Sequence, residues 1–347
     1  MDIFMVNLTQ NMVTLIAAID EFKGQWQALK NISPDKLQQL RQVATVESVG
    51  SSTRIEGVKL SDREVEELLS RIDTKQLETR DEMEVVGYAD AMEMIYENWE
   101  EISLSENNIR QLHKTLLNHS SKDERHKGQY KTSYNNIEAF DEDGTSLGII
   151  FETASPFETP GMMQELIEST NQRFEDQEIH PLIIIGDFLV RFLAIHPFLD
   201  GNGRMSRILT TLLLLKSGYL YVPYSSLERI VEENKDSYYR ALRKTQVTLK
   251  DEVHDDNWLI FFLNSLKKQT DALAKKVETA KLTAPQLPEL SLKVLELVKT
   301  QGYITVQEAV NATGANRNTL KKQMANMVKM NILELEKKGR SSFYRMK

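Results

Sequence analysis

Hydrophobic positions recur at helical spacing along most of this chain. Leu182, Ile185, Phe188, Leu189, Phe192 and Leu193 step along one apolar face, and Met205, Ile208, Leu209, Leu212 and Leu215 repeat the pattern one element later. Pro181 suits the first turn of the earlier helix. Further helices are expected over residues 34–49, 62–69, 80–99, 105–118, 160–172, 229–245 and 255–280, with another around 12–22. Ser33–Pro34 and Thr159–Pro160 each read as an N-cap followed by a first-turn proline. Residues 134–151 depart from this pattern: two short extended segments flank Asp143-Gly144, the signature of a β-hairpin. A lone hairpin is marginal by itself, so it either packs on a neighbour or waits for a strand to pair with.

The run TAPQLP at 283–288 breaks the helical pattern and reads as a linker. Beyond it, helices at 290–300, 306–313 and 316–330 and a hairpin at 332–346 around Lys338-Gly339 describe a winged helix-turn-helix. The expected division is an N-terminal helical region (1–104), a core with its following helices (105–282), the linker, and the tail module (289–347). The expected fold class is mainly α.

Charge sharpens that division. The chain of 347 residues carries a formal charge of −8, yet residues 289–347 hold 11 Lys/Arg against 5 Asp/Glu. An acidic body of about −14 and a tail of about +6 suggest different partners for each. The absence of cysteine excludes a disulfide scaffold and any thiolate metal site, and fits a reducing cytoplasm. The first residues lack the basic flank and apolar run of a signal peptide. The apolar runs are far shorter than the roughly 20 residues a membrane span needs, so no membrane partner is expected.

Chemistry concentrates between the two most apolar helices, in His196-Pro197-Phe198-Leu199-Asp200-Gly201-Asn202-Gly203-Arg204-Met205-Ser206-Arg207. Pro197 ends the first helix and the second begins near Asn202. Gly201 and Gly203 let backbone N–H groups converge into an anion nest, and the helix start adds its positive dipole end. The Asn202 amide is a donor for a phosphate oxygen. Arg204 and Arg207, three apart, share a helix face and suit phosphates. Asp200 is a hard oxygen ligand suited to Mg²⁺. His196 is a base able to accept a hydroxyl proton at neutral pH. Together they describe transfer from a polyphosphate to a hydroxyl.

The stretch resembles the signature of the Fic (filamentation-induced-by-cAMP) family, His-x-Phe-x-Asp/Glu-Gly-Asn-Gly-Arg-x-x-Arg, at every specified position. With flanking helices the likeness covers roughly residues 105–246. It implies a Fic-type helical bundle with a β-hairpin flap, and protein adenylyltransferase activity: AMP moves from Mg-ATP to a Ser, Thr or Tyr hydroxyl of a target protein. It further implies that His196 is the base, Asp200 the Mg²⁺ ligand, Gly201, Asn202 and Gly203 the phosphate cradle, and Arg204 and Arg207 contacts to the outer phosphates. The kinase-like death-on-curing branch has Lys where this chain has Gly203. The resemblance makes 134–151 the flap that holds a target by strand addition. It also sets Tyr239, of the pair Tyr238-Tyr239, at the adenine pocket.

A second motif, Ser52-Thr53-Arg54-Ile55-Glu56-Gly57, sets Glu56 at a helix C-terminus, where the dipole opposes a carboxylate and a cationic partner would help. It resembles the family's inhibitory motif and implies a Glu56–Arg207 pair, with Ser52 bonding nearby, that blocks productive ATP. The family class is the one with an upstream inhibitory helix. In the tail, Asn316, Arg317, Asn318, Lys321 and Lys322, with Lys337, Lys338 and Arg340 on the wing, place positive charge as DNA phosphates require. Alternatives stand beside AMP transfer: removal of AMP by the same site, or a DNA-binding regulator whose nucleotide site only senses. Self-modification and homodimer formation are both open.

Overall fold

The computed structural model describes residues 8–28, 34–71, 77–120, 124–140, 146–249, 256–283, 289–329, 332–338 and 341–346. Ser33, the Asp143-Gly144 turn, residues 284–288 of the expected linker, Gly339, Arg340 and the side chains of Lys337 and Lys338 lie outside the described parts. The chain forms two compact units, Met1–Glu278 and Thr279–Lys347.

The first unit opens with α1 (Gln10–Ala28), α2 (Pro34–Ile55), α3 (Asp62–Leu69), α4 (Arg80–Asn98) and α5 (Glu106–Leu116). The hairpin strands β1 (Ile137–Phe140) and β2 (Ser146–Phe151) follow, then α6 (Thr159–Asp176), α7 (Pro181–Ile195) and α8 (Asn202–Lys216). It ends with α9 (Leu227–Glu233), α10 (Lys235–Thr248) and α11 (Asn257–Thr283). Capping boxes start α3 at Ser61 and α4 at Thr79. The two most apolar helices form the centre: 12 of the 15 residues of α7 and 13 of the 15 of α8 are buried. They pack on each other, with α6 against α7 and α4 against α8. Burying both helices on nearly all sides makes a rigid platform for the loop that joins them. None of the described helices is long and apolar enough to cross a membrane.

Three expectations are corrected. The helix expected at 34–49 continues to Ile55, because its last turns bury Ser48, Gly50, Ser51, Ser52 and Thr53, small residues that give no apolar periodicity. The helix expected at 229–245 is two helices broken at Asn234, which leaves helical geometry (φ −121°, ψ 30°) while its side-chain amide donates to Ile230 O. The N-cap of α6 is Glu158, not Thr159: Thr159 is already helical and its hydroxyl donates to Ser155 O.

The hairpin is a two-stranded antiparallel sheet, pairing Ile137 with Phe151 and Phe140 with Ser146, with two irregularities in register. One edge of each strand therefore has no strand partner among the described residues.

The second unit holds α12 (Glu289–Gln301), β3 (Tyr303–Ile304), α13 (Val306–Thr313), α14 (Arg317–Lys329), β4 (Leu333–Lys338) and β5 (Ser341–Met346). Its sheet has the order β3-β5-β4, all antiparallel, so a short strand absent from the sequence expectation completes it. Two residues carry too little pattern to reveal a strand. A separate core around Val298, Leu320, Met324 and Tyr344 closes this unit.

Candidate active site

The α7–α8 loop is shaped by its own residues. His196 takes left-handed backbone (φ 55°, ψ 59°) and its N–H caps Phe192 O, while Pro197 prevents further helix. Asn202 closes the loop from inside: Oδ1 accepts the Phe198 N–H at 2.9 Å and Nδ2 donates to Phe198 O at 2.7 Å. The side-chain oxygen and one of its two amide hydrogens are thus engaged with the backbone of Phe198. Gly201, at φ 80°, is the left-handed N-cap of α8 and offers no capping side chain. The first N–H groups of α8 therefore form an uncapped, positive helix end.

The His196 ring is held in one tautomer. Its Nδ1 lies 3.2 Å from Leu193 O, a pure acceptor, so Nδ1 carries the proton and donates. Nε2 keeps its lone pair. Burial, with help from the Lys131 cation, pushes the imidazole down to about 4, so it is neutral near pH 7 with Nε2 able to accept a proton. Asp200 Oδ1 accepts the Gly201 N–H, and Oδ2 pairs with Arg204 at 3.2 Å. Burial alone would raise this carboxyl, but Arg204, the Gly201 N–H and Arg80 outweigh it and hold it below its ordinary range.

Arg204 is 2% exposed and lies between Asp200 and Glu84, 3.0 Å from the latter. Its guanidinium fixes the carboxylate of Asp200, and both ions are already engaged. Arg207 is equally buried and reaches the other way. Its Nε donates to Ser52 Oγ (2.8 Å), and Nη2 donates to Ser52 O (3.0 Å) and Glu56 Oε1 (2.7 Å). Burial would lower its pKa, but Glu56 outweighs this and keeps the guanidinium charged. A methyl group on Gly203 would sit 2.3 Å from Glu56 Oε1, so the carboxylate rests directly on the first turn of α8. Glu56 thereby occupies the place that helix dipole and arginine make favourable for an anion.

Tyr239 is 40% exposed, with Lys235 lying 6.0 Å from its ring centre. Tyr238 is buried beside it at 5.1 Å, edge-on. Tyr239 is thus the more exposed of the pair. The described residues contain no group of three or more Asp, Glu or His side chains placed to hold a metal. A cation that takes one carboxylate and fills its shell with phosphate oxygens and water does fit Asp200, whose side chain is 39% exposed.

Sequence reasoning missed His113, Lys131, Asn135 and Glu84. His113 is fully buried and stacks on Phe198 at 3.7 Å. Its Nε2 donates to Asp200 O (3.0 Å) and its Nδ1 accepts the Gly128 N–H (2.9 Å). A sequence signal existed: with Ile109, Leu112 and Leu116 it lies on the apolar stripe of α5. Burial pushes it down to about 4. Between pH 6.5 and 4 the unfolded chain therefore binds protons at His113 and His196 that the folded chain does not. Stability should fall through that window on acidification, by up to roughly 3 kcal/mol from His113. Thermal unfolding from pH 7.5 to 4.5 should show this decline, and His113→Gln should flatten it; equal slopes in the two proteins would contradict the assignment.

Residues 103–214 match the model of the Fic/DOC family. A Fido domain-containing protein of Dictyostelium discoideum is 33% identical over 99 residues, 27% of this chain and 64% of that protein. The protein adenylyltransferase Fic of Drosophila willistoni is 35% identical over 79 residues, 21% of this chain and 15% of the relative. The chain thus spans less than two thirds of these relatives' length. In three dimensions it is similar to a Fic family protein from Desulfovibrio desulfuricans, with a TM-score of 0.63 at 23% identity over 99% of this chain and 97% of that one. Residues 103–214, with the loop from His196 to Arg207 set between two buried helices, match the Fic/DOC family, and the fold around them is similar to that of a Fic family protein.

Proposed function

We propose that the chain is a protein adenylyltransferase held in check by Glu56. The observation that carries this reading is the neutral His196, its Nε2 free, beside an uncapped helix end and a charged Arg207. The acceptor hydroxyl gives its proton to Nε2 and its oxygen attacks the α-phosphorus of ATP. The bond from that phosphorus to the bridging oxygen breaks and pyrophosphate leaves with the electron pair. The N–H groups of α8 and Arg207 steady the phosphate charge, and Tyr239 offers a face to the base. Asp200 would hold Mg²⁺, which supplies charge neutralisation at the phosphates when bound. The acceptor belongs to a target protein, or to the chain itself, lying along a free edge of the hairpin. Transfer of label to protein from α-labelled but not γ-labelled ATP supports the reading. Label from the γ position would overturn it in favour of phosphoryl transfer.

The second unit supports a further reading, a winged-helix module that binds duplex DNA. Its α14 contains no acidic residue and exposes Arg317, Lys321, Lys322 and Lys329. Binding of the full chain to a labelled duplex should weaken steeply between 50 and 200 mM salt, roughly in proportion to the phosphates contacted. No binding at 50 mM salt would exclude it.

A further inference from the structure

Lys131 is 2% exposed, and no acidic group is among its hydrogen-bond partners. Its three ammonium hydrogens meet three neutral oxygens: Asn135 Oδ1 at 2.8 Å, Thr153 Oγ1 at 2.9 Å and Ile195 O at 2.9 Å. Burying a lone cation is costly. Here the compensation comes from the last turn of α7, whose carbonyl end is the negative pole of that helix. A neutral side chain would have satisfied the same oxygens more cheaply, so the placement of a charge at this point calls for a role.

The contacts have a pattern. Asn135 stands just before β1 and Thr153 just after β2, so Lys131 grips both feet of the hairpin. Thr153 Oγ1 also donates to Asn135 Oδ1 (3.0 Å), and the Thr153 N–H donates to Asn136 Oδ1 (3.1 Å). The other side of the knot is the catalytic loop. The Lys131 N–H donates to Pro197 O (2.8 Å), and Asn135 Nδ2 donates to His196 O (3.2 Å) and Phe198 O (2.6 Å). Three successive carbonyls around the base are thus held by the segment that begins the hairpin. None of these bonds touches Arg207, Glu56 or the first turn of α8.

We propose that Lys131 is a positioning residue, which with Asn135 and Thr153 fastens the hairpin to the His196 loop so that acceptor strand and base keep one spacing. The inference rests on the adenylyl-transfer reading, because the knot matters only if the hairpin presents the hydroxyl that His196 deprotonates. It specifies where the effect falls. Attack depends on a hydroxyl held at hydrogen-bond distance from Nε2, about 2.6–3.2 Å, and misplacement of about 1 Å costs about 100-fold. Nucleotide binding uses other residues and should be spared.

The test is self-labelling of the full chain with α-labelled ATP and Mg²⁺, in the released Glu56→Gly background. Adding Lys131→Met should lower kcat about 10- to 100-fold while the KM for ATP stays within about twofold. Thr153→Val, which removes one spoke of the knot, should lower kcat less, with the same unchanged KM. A merely structural lysine would instead shift KM and kcat together with Tm. Unchanged kcat in a folded Lys131→Met variant overturns the proposal. If that variant does not fold, unchanged kcat in Thr153→Val overturns it. If the Glu56→Gly parent labels neither itself nor any protein of a lysate, the adenylyl-transfer reading falls and the proposal with it.

Discussion

Glu56→Gly should raise transfer of label from α-labelled ATP about tenfold over the wild-type chain. The argument is one of occupancy. In the present arrangement the Glu56 carboxylate lies 2.7 Å from Arg207 Nη2 and against Gly203, where a nucleotide phosphate would gain most from guanidinium and helix end. Two anions cannot share that place, so productive ATP must displace one. Each 1.4 kcal/mol by which the pair favours the closed arrangement removes about a factor of ten in competent population. Arg207 is buried but Glu56 is open to solvent, so the pair, with two further bonds that Arg207 donates to Ser52, is worth about one such factor. Glycine removes the carboxylate and leaves Arg207 its two bonds to Ser52, so the arginine remains oriented. The measurement is the initial rate of labelling in purified protein and in a lysate. Equal rates in wild type and variant would mean that Glu56 does not gate the site.

His196→Ala, made in the Glu56→Gly background so that a rate exists to lose, should reduce transfer by 10²- to 10⁴-fold, the usual worth of a general base. The backbone at this position complicates the choice of residue. At φ 55° alanine is strained, so part of its effect could come from a shifted loop. His196→Asn separates the causes, since asparagine tolerates left-handed backbone and lacks a comparable base. Both variants should retain binding of a non-hydrolysable ATP analogue, because the phosphate contacts lie on α8 and Arg207. Transfer by either variant at the parent rate would remove His196 from the mechanism.

The sequence made the helices legible where apolar residues carry the burial, as in α7 and α8, and the motif between them legible residue by residue. It was silent where polar groups do the same work. Between Val49 and Ile55 the last turns of α2 are buried through serine, threonine and glycine, so their continuation to Ile55 left no hydrophobic period to read. Asn202 looked like a phosphate donor because an amide suits one; only the fold shows both its atoms turned inward to Phe198. Arg204 and Arg207 share a helix and a spacing, yet one braces Asp200 and the other meets Glu56, a distinction set by which neighbour faces each. Lys131 gave no signal, since a lysine's surroundings in three dimensions leave no trace in its sequence neighbours.

The composition of that same α2 surface governs how the restraint responds to its surroundings. Its final turns are seated by Val49 and Ile55 in the core and also by hydroxyls, peptide groups and ions, including the Arg54–Glu232 pair at 2.6 Å and the bond from Lys235 Nζ to Ile55 O at 2.7 Å. Ionic strength and neighbouring charge act directly on the ion pairs of this seat. A restraint by Glu56 built on these pairs would answer to charged partners that compete for Arg54, Lys235 or Arg207.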